Sequence, residues 1–587
     1  MKLFIKKLVV VVLIAASFAS CTKTFEKDPG TELTAGQMYR DIFDANAAVM
    51  GIYGKFMKLS DRYIILNELR GDLLEFTDNA DEYLRQISNH TVTPENPYIN
   101  PRPFYELIIN CNDVLKNFRI MKDQNKLSEA DFNQRYSDIA CLRSFLYLQL
   151  GIHYGEVPYV TEALENINDV ANPSRFTKLP LNILIDSLIA FTEPLPFKDV
   201  YPPNVSAGIS TSLNMTLDAY QTVKFFINKK ILLGDLYLWK GNYNKSASYY
   251  REVMDAATTG TQGENYYSQY KLGWSGNANL YVTYTRAGDA SSLTYTDGWG
   301  SMFSATDERF NREMIWVLPY DSKFKPENPL INLFSPVGGS YLVRPSQEII
   351  RNWDEQQQRP NAITGTGFPY DARKLLSTTT IGGQPVITKF IANYLNVTTG
   401  IPLNLLTKNG KWFLFRQAHM HLRFAEAANR DGYPRLAYAL FNNGIPTAYD
   451  NTAATDKTNW MNTFMYPDPY KFDGRMGNIP NYRGPWYRNI GIRSRVNLVN
   501  YPLTATNITD SIAQIEVGLI NEQALETAFE GTRWADLLRV SIRRNDPAFL
   551  ADKVYEKLRR NPATAGLASQ ARAKLLARNW FLPFNWN

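Results

Sequence analysis

Cysteine and histidine are scarce in this chain of 587 residues, which contains three cysteines and four histidines. No Cys/His spacing typical of a zinc site is present. His419 and His421 lie two apart on a predicted helix, so they point to nearly opposite faces and form a poor metal pair. The sequence also lacks a phosphate-binding loop, a nucleophile elbow and the kinase motifs. It therefore predicts neither a metal site nor a cofactor.

A strong charge bias is absent as well. The chain has 63 Lys and Arg against 57 Asp and Glu, and residues 1–20 contribute three of the lysines and no acid. Without that segment the balance is 60 against 57, or +3. A nucleic-acid-binding protein of this size would be far more basic, so no nucleic-acid partner is expected.

Long apolar runs are missing except near the start of the chain. Lysines within the first seven residues precede an apolar run over 8–16, and small residues lead to Cys21. The run is too short to span a bilayer, which takes about 20 residues, so residues 1–20 are interpreted as a cleaved signal peptide. Small residues before Cys21 are typical of a lipoprotein signal, in which that cysteine is lipidated. The alternative is an ordinary secretory signal in which Cys21 has no role.

A polar stretch over residues 21–34, broken by Pro29-Gly30, predicts a flexible tether. The rest of the chain, 35–587, is interpreted as one body. Helical patterns occur at 43–59 and 102–118, and another ends at Gly155, since glycine readily adopts the left-handed conformation that ends a helix. Two further cysteines lie on apolar-patterned segments, Cys111 and Cys141. Buried thiols are favoured there, although a disulfide is also allowed in an exported protein.

Three later stretches share the small, turn, small and large spacing of a tetratricopeptide helix pair. The three sets are Gly234, Gly241, Ser246 and Tyr250; Ala425, Gly432, Ala437 and Phe441; and Ala524, Gly531, Asp536 and Val540. Small residues let two helices cross closely while the large residue fills the groove between them. We predict helical hairpins around 224–254, 416–441 and 512–540 that stack into a scaffold, because no hairpin buries its own face alone.

The region 260–410 differs in composition, being rich in Gly, Ser, Thr, Asn and aromatic residues. A loop region of this length inside a compact protein is usually functional. We predict loops with short helices and strands there, including a strand at Met314 to Leu318. The predicted fold class is therefore mainly α, a scaffold of tetratricopeptide-like hairpins with a loop-rich α+β insert that faces the ligand.

Several tryptophans receive different predictions. Trp239, Trp412 and Trp534 are expected in the core. Trp486 is expected to be exposed in a basic turn that includes Arg488, Arg493 and Arg495.

The string from Asn521 to Arg539, NEQALETAFEGTRWADLLR, closely resembles the C-terminal signature of the SusD/RagB family. A second resemblance lies at Arg143 to Pro158, where the helix ends in Tyr-Gly-Glu-Val-Pro and relatives have aspartate in place of Glu156. The resemblance extends over nearly the whole mature chain. Within the signature, Arg533 and Asp536 are expected to hold the hairpin together rather than to bind a ligand.

The resemblance implies a non-catalytic lipoprotein, attached through Cys21 to the outer membrane and facing the cell exterior. Such a protein captures oligosaccharides or peptides and delivers them to a SusC-like, TonB-dependent outer-membrane transporter. An early loop region matches in position the ligand face of relatives, and turn-borne aromatics of the insert suit sugar rings or peptides. The candidate ligand residues are Asn79, Asp81, Tyr98, Asn100, Trp274, Tyr295 and Trp299.

Other interpretations remain open at this point. The early loop could be a solvated connector, and each insert aromatic could belong to the core. A surface-attached glycan hydrolase would need a carboxylate pair that is defined only in space and leaves no sequence pattern. A purely structural assembly scaffold is the third alternative.

Overall fold

The computed structural model describes residues 38–164, 176–196, 200–202, 211–218, 220–255, 301–304, 314–359, 371–404, 406–449, 465–474, 486 and 489–586. Across these residues the fold is mainly α-helical, as predicted, and its strands pair only in twos. In the described part of the chain, no helix combines the length and apolar character needed to cross a membrane.

Helices occur along the whole described chain. Those before residue 260 are α1 (Ile42–Met57), α2 (Ser60–Ile64), α3 (Glu82–Asn89), α4 (Arg102–Asp123), α5 (Glu129–Tyr154), α6 (Leu181–Thr192), α7 (Lys229–Lys240) and α8 (Tyr243–Asp255). Those between 300 and 450 are α9 (Ser301–Ser304), α10 (Pro329–Phe334), α11 (Gln347–Asp354), α12 (Arg373–Ser377), α13 (Gln417–Arg430), α14 (Pro434–Phe441) and α15 (Ile445–Ala448). The last are α16 (Gly491–Arg495), α17 (Ile508–Glu526), α18 (Arg533–Arg544), α19 (Ala548–Arg560) and α20 (Ala568–Leu576).

The strands form antiparallel pairs, some between distant parts of the chain and some within local hairpins. The pairs are β1 (Leu74–Phe76) with β7 (Val343–Pro345), β2 (Glu156–Pro158) with β3 (Lys178–Pro180), β4 (Thr216–Leu217) with β5 (Tyr220–Gln221), β6 (Met314–Tyr320) with β10 (Gly410–Arg416), and β8 (Thr378–Ile381) with β9 (Gln384–Ile387). The predicted strand at Met314 is present as β6, two residues longer than expected. The β6–β10 ribbon is fully apolar at its centre and is buried on both faces.

Helices α1 and α4 are present as predicted, with α4 continuing to Asp123, whereas α2 and α3 were not predicted. The Asp41 side chain accepts hydrogen bonds from two backbone N–H groups and so starts α1. Helix α5 ends at Gly155, whose φ of 76° suits glycine. A Cβ at Gly155 would lie 2.7 Å from the Phe581 ring, so the C-terminal segment packs directly on this helix end. Cys111 and Cys141 are both buried and are not joined by a disulfide, which confirms the favoured prediction.

Each predicted repeat contains a pair of packed helices. In the first, α7 crosses α8 at Gly234, where a Cβ would lie only 2.5 Å from the Tyr250 ring. The Ser246 hydroxyl donates to the Gly234 carbonyl at 2.8 Å, which satisfies both groups at the crossing. In the second pair, α13 and α14 bury Ala437 and Phe441 completely. The close crossing that small residues permit is therefore the packing mode of the scaffold.

The third pair, α17 and α18, has a charged residue where the others have a small one. Asp536 is buried and forms an ion pair with Arg539, whose Nη1 lies 2.9 Å from Asp536 Oδ1, one turn along α18. A carboxylate is tolerated at this position because a neighbouring guanidinium is buried with it.

A cluster of aromatic rings joins the β6–β10 ribbon to the N-terminal helices. Phe56 stacks on Trp316 with ring centroids 5.5 Å apart and contacts Trp412 at 4.7 Å. Trp412 and Trp534 are fully buried, as predicted. Trp239 was predicted to be core but is only partly buried, because it packs at the edge of the hydrophobic core.

The prediction of an exposed basic turn around Trp486 was wrong. Trp486 is 1% exposed and its ring meets Phe472 edge-on at 4.2 Å. Arg493 and Arg495 are also buried, and they pair with Glu522 and Glu526 of α17. Carboxylates spaced four apart on one helix face draw this turn inward, because each buried arginine needs a counter-charge.

Candidate ligand-binding surface

A surface around α3, which we call the rim, carries four of the predicted ligand residues. These are Asn79, Asp81, Tyr98 and Asn100. The carboxylate of Asp81 begins α3, where Oδ1 accepts the Leu84 N–H at 2.8 Å. Its second oxygen accepts the Tyr98 hydroxyl at 3.2 Å. Burial, followed by the charge of Asp81, raises the pKa of Tyr98 to about 12. The structure thus brings Asp81 and Tyr98, which are 17 residues apart, into direct contact.

The two asparagines of the rim are exposed, and each also has a local structural contact. Asn79 Nδ2 donates to the Ser340 carbonyl at 3.0 Å. Asn100 Oδ1 accepts the Arg102 N–H at 2.9 Å, at the start of α4. Both amides have a polar atom that these contacts leave available to a bound molecule.

Arg62 on α2 holds one side of the rim in place. Its Nη1 lies 3.1, 2.9 and 2.7 Å from the carbonyl oxygens of Pro97, Tyr98 and Asn100. Burial lowers the pKa of Arg62 from its usual value, and Asp61 beside it acts in the opposite sense. Sequence reasoning missed Arg62, because its partners lie 35–38 positions away and no local pattern marks them.

Tyr83 and Asp61 add a further aromatic ring and a further carboxyl group to the rim. The Tyr83 side chain is 40% exposed on the first turn of α3. Asp61 is half-buried next to Arg62, and burial raises the pKa of its carboxyl. Sugars present apolar ring faces and hydroxyl edges, which bind to flat aromatic rings and to carboxylates or amides respectively. An exposed tyrosine among aspartates and asparagines provides both kinds of contact.

The remaining candidates, Trp274, Tyr295 and Trp299, lie outside the described residues, as does Cys21.

Buried charges of α17 form a separate cluster that no ligand can reach. Glu526 binds Arg416 at 2.8 Å, Arg495 at 2.5 Å and Arg373 at 2.7 Å, and all four side chains are at most 2% exposed. Burial raises the pKa of Glu526, but the three guanidiniums outweigh it and hold that pKa well below its usual value. Since α17 thereby joins three distant segments, this cluster is structural.

The signature residue Arg533 reaches farther than predicted. It does hold the hairpin, because Nη1 donates to the Ile520 carbonyl of α17 at 2.9 Å. Its other nitrogens, however, bind the carboxylate of Asp72 at 2.6 and 2.7 Å, across 461 residues of chain. The ionic partner of Arg533 is therefore Asp72, a buried carboxylate of the N-terminal segment.

The geometry defines a helical-repeat protein with an exposed polar and aromatic rim. No family model matches the chain. A curated relative, the SusD-like protein P2 of Formosa agariphila, is 23% identical over 251 residues, or 42% of this chain and 45% of that protein. The chain thus matches somewhat less than half the length of this relative.

Solved structures share the fold over nearly the whole chain. A SusD superfamily protein from Bacteroides thetaiotaomicron is similar with a TM-score of 0.55 at 17% identity, covering 93% of this chain and 96% of that one. A SusD-like carbohydrate binding protein from Bacteroides fragilis gives a TM-score of 0.51 at 14% identity, with 87% and 88% covered. The chain therefore has the SusD-superfamily fold, which confirms the resemblance seen in its signature.

Proposed function

We propose that this protein captures glycans at the cell surface and delivers them to a TonB-dependent outer-membrane transporter. The observation that best supports this proposal is the rim around Tyr83, Tyr98 and Asp81. It presents an exposed ring beside carboxylates and amides on a SusD-superfamily fold. A solved protein of the same fold is named for carbohydrate binding, which supports a glycan as the ligand.

The proposal includes binding without cleavage and attachment through a lipid on Cys21. Residues 1–20 have the charge and apolar pattern of a signal peptide, and Cys21 follows it directly. The transporter as partner is implied by the family resemblance.

Binding can be measured with residues 22–587, which retain every described residue. Calorimetric titration against a panel of glucans, host glycans and peptide mixtures should show saturable binding to one glycan class, and chromatography of each sample should show no products. Saturation by peptides alone would replace the ligand class, whereas accumulating sugar products would identify a hydrolase. No binding throughout would leave an assembly scaffold as the better account.

The transporter can be tested in cells. Wild-type protein should co-purify with a TonB-dependent barrel after mild detergent extraction, and Cys21→Ala should release the protein from the membrane fraction. Retention of the Cys21→Ala protein in the membrane would contradict the lipid anchor.

A further inference from the structure

Two buried carboxylates of the segment 60–72, Glu68 and Asp72, bind the start of α18. Glu68 Oε1 accepts the N–H groups of Gly531, Thr532 and Arg533 at 2.7, 2.9 and 3.4 Å. Asp72 accepts both arms of the Arg533 guanidinium. A carboxylate at the N-terminus of a helix binds groups that the helix itself leaves unpaired, and it also interacts favourably with the helix dipole.

Glycine allows the same turn to lie flat against α2. Gly531 has a φ of +89°, and a Cβ there would be 2.2 Å from the ring of Tyr63. The turn therefore contacts this N-terminal segment through its backbone N–H groups, through one side chain and through the surface left by a missing Cβ. We call this set of contacts, from Gly531–Arg533 to Tyr63, Glu68 and Asp72, the junction.

The segment that holds the junction also holds the rim. Helix α2 continues without a break into a π-helical turn at Ile65–Leu69, so Arg62 and Glu68 belong to one rigid unit. Six residues of helix span roughly 9 Å. Arg62 at one end of this unit bonds to the carbonyls of Pro97, Tyr98 and Asn100, and Glu68 at the other end bonds to the hairpin.

We propose that the junction positions the ligand rim: Glu68, Asp72 and Arg533 fix the orientation of residues 60–72, and Arg62 passes that orientation to the 97–100 turn. Glu68, Asp72 and Arg533 are positioning residues, since all three are buried and act on the rim only through Arg62. The proposal rests on the proposed function, because the rim binds the ligand only under that proposal.

Helix α18 offers a matched control for the test. Near its N-terminus Arg533 is held by Asp72, and farther along Arg539 is held by Glu426 through Nε–Oε1 and Nη2–Oε2 contacts of 3.0 and 2.6 Å. Both carboxylates are buried, both pairs are bidentate, and only Asp72 belongs to the rim-bearing segment. Asp72→Asn and Glu426→Gln therefore each remove one buried bidentate ion pair from α18, and Arg539 keeps Asp536 as a second partner at 2.9 Å.

Amide hydrogen exchange measures how firmly the 97–100 turn of the rim is held, and it needs no ligand. The amides of Tyr98, Ile99 and Asn100 are hydrogen-bonded within their turn, so they exchange slowly while the turn is held. In the full chain, Asp72→Asn should speed exchange of the peptide covering 94–104 by roughly tenfold or more, and Glu426→Gln should leave it unchanged. The glycan Kd of Asp72→Asn should rise by about tenfold while that of Glu426→Gln stays within about twofold.

Equal exchange at 94–104 in both variants, whether fast or slow, would overturn the positioning role. Faster exchange in Asp72→Asn alone supports it, and if wild-type protein then binds no glycan, the proposed function fails while the positioning of the rim stands. If Asp72→Asn does not fold, Arg533→Lys and Arg539→Lys keep the charge while removing the bidentate contact, and they are compared in the same way.

Discussion

The α17 cluster and the rim around α3 use similar residues in opposite ways. In the cluster, Glu526 is fully buried and shared by three arginines. At the rim, Asp81 is exposed, begins a helix with one oxygen and contacts Tyr98 with the other. A buried charge must be satisfied within the protein, whereas an exposed one can exchange water for a ligand. The difference between the two regions lies in the environment of the side chains rather than in their identity.

Stability should therefore depend on the cluster and not on the rim.

Replacing Glu526 by Gln should lower the free energy of unfolding by about 3–5 kcal/mol, because it leaves three buried guanidiniums undercompensated. Urea unfolding followed by circular dichroism measures the loss. The control is Glu556→Gln, which removes a carboxylate that pairs at the surface with Arg559 and Arg560. That change should cost less than about 1 kcal/mol. Equal losses in the two variants would remove the distinction between buried and exposed charges.

Acid should destabilise the fold through its four histidines, all of which are buried. Burial lowers the pKa of His90 and His153 well below 6.5, and lowers that of His419 and His421 to about 3. Below pH 6.5 the unfolded chain therefore takes up protons that the folded chain does not, so stability falls as the pH falls. Glu68 acts in the opposite sense, since burial raises its pKa to about 7 and the folded chain gains that proton.

Near pH 5.5 the unfolded chain binds almost three protons more than the folded chain. The free energy of unfolding should therefore fall by roughly 3 kcal/mol between pH 7 and 5.5. Urea midpoints across this range measure it. Glu68→Gln removes the opposing proton and should steepen the slope by about one proton's worth, or roughly 1.4 kcal/mol per pH unit. A flat profile would show that the histidines are accessible to protons in the folded state.

The helix crossing at Gly234 should tolerate no larger residue. Gly234→Ala places a Cβ 2.5 Å from the Tyr250 ring and should cost about 2 kcal/mol. Gly51→Ala is the matched control, because Gly51 lies inside α1 with no heavy atom within 4 Å of an added Cβ. That change should stabilise the protein by about 0.5–1 kcal/mol, since alanine favours a helix. A loss at Gly51 as large as that at Gly234 would contradict the packing argument.

The smallest effect on stability is expected at the rim. Tyr83→Ala should change the melting temperature by less than about 3 °C, because the ring is 40% exposed, yet it should weaken glycan binding roughly tenfold. Phe43→Ala is the control, since that ring on α1 is 44% exposed and lies on a different helix. Phe43→Ala should leave affinity unchanged. A large loss of stability in Tyr83→Ala would place Tyr83 with the core instead.

Local patterns in the sequence determined much of the scaffold. The hairpin spacing, the helix end at Gly155 and the strand at Met314 each depend on residues within about sixteen positions, so a single stretch contains all the relevant information. The core positions of Trp412 and Trp534 also followed, because both lie in strongly apolar elements. The family signature around Phe529–Trp534 then indicated the fold.

Only the tertiary structure decided which polar residues are buried and which are available. Arg493 and Trp486 are typical of an exposed turn by composition, but the carboxylates of α17 draw that turn into the interior. Arg533 and Arg62 find their partners 461 and 35–38 residues away. Neither choice is local, because the free energy of burying a charge depends on a counter-charge or carbonyl that the fold alone brings close. The sequence alone therefore indicates the helical scaffold and the family, while the rim depends on long-range contacts of its charged groups.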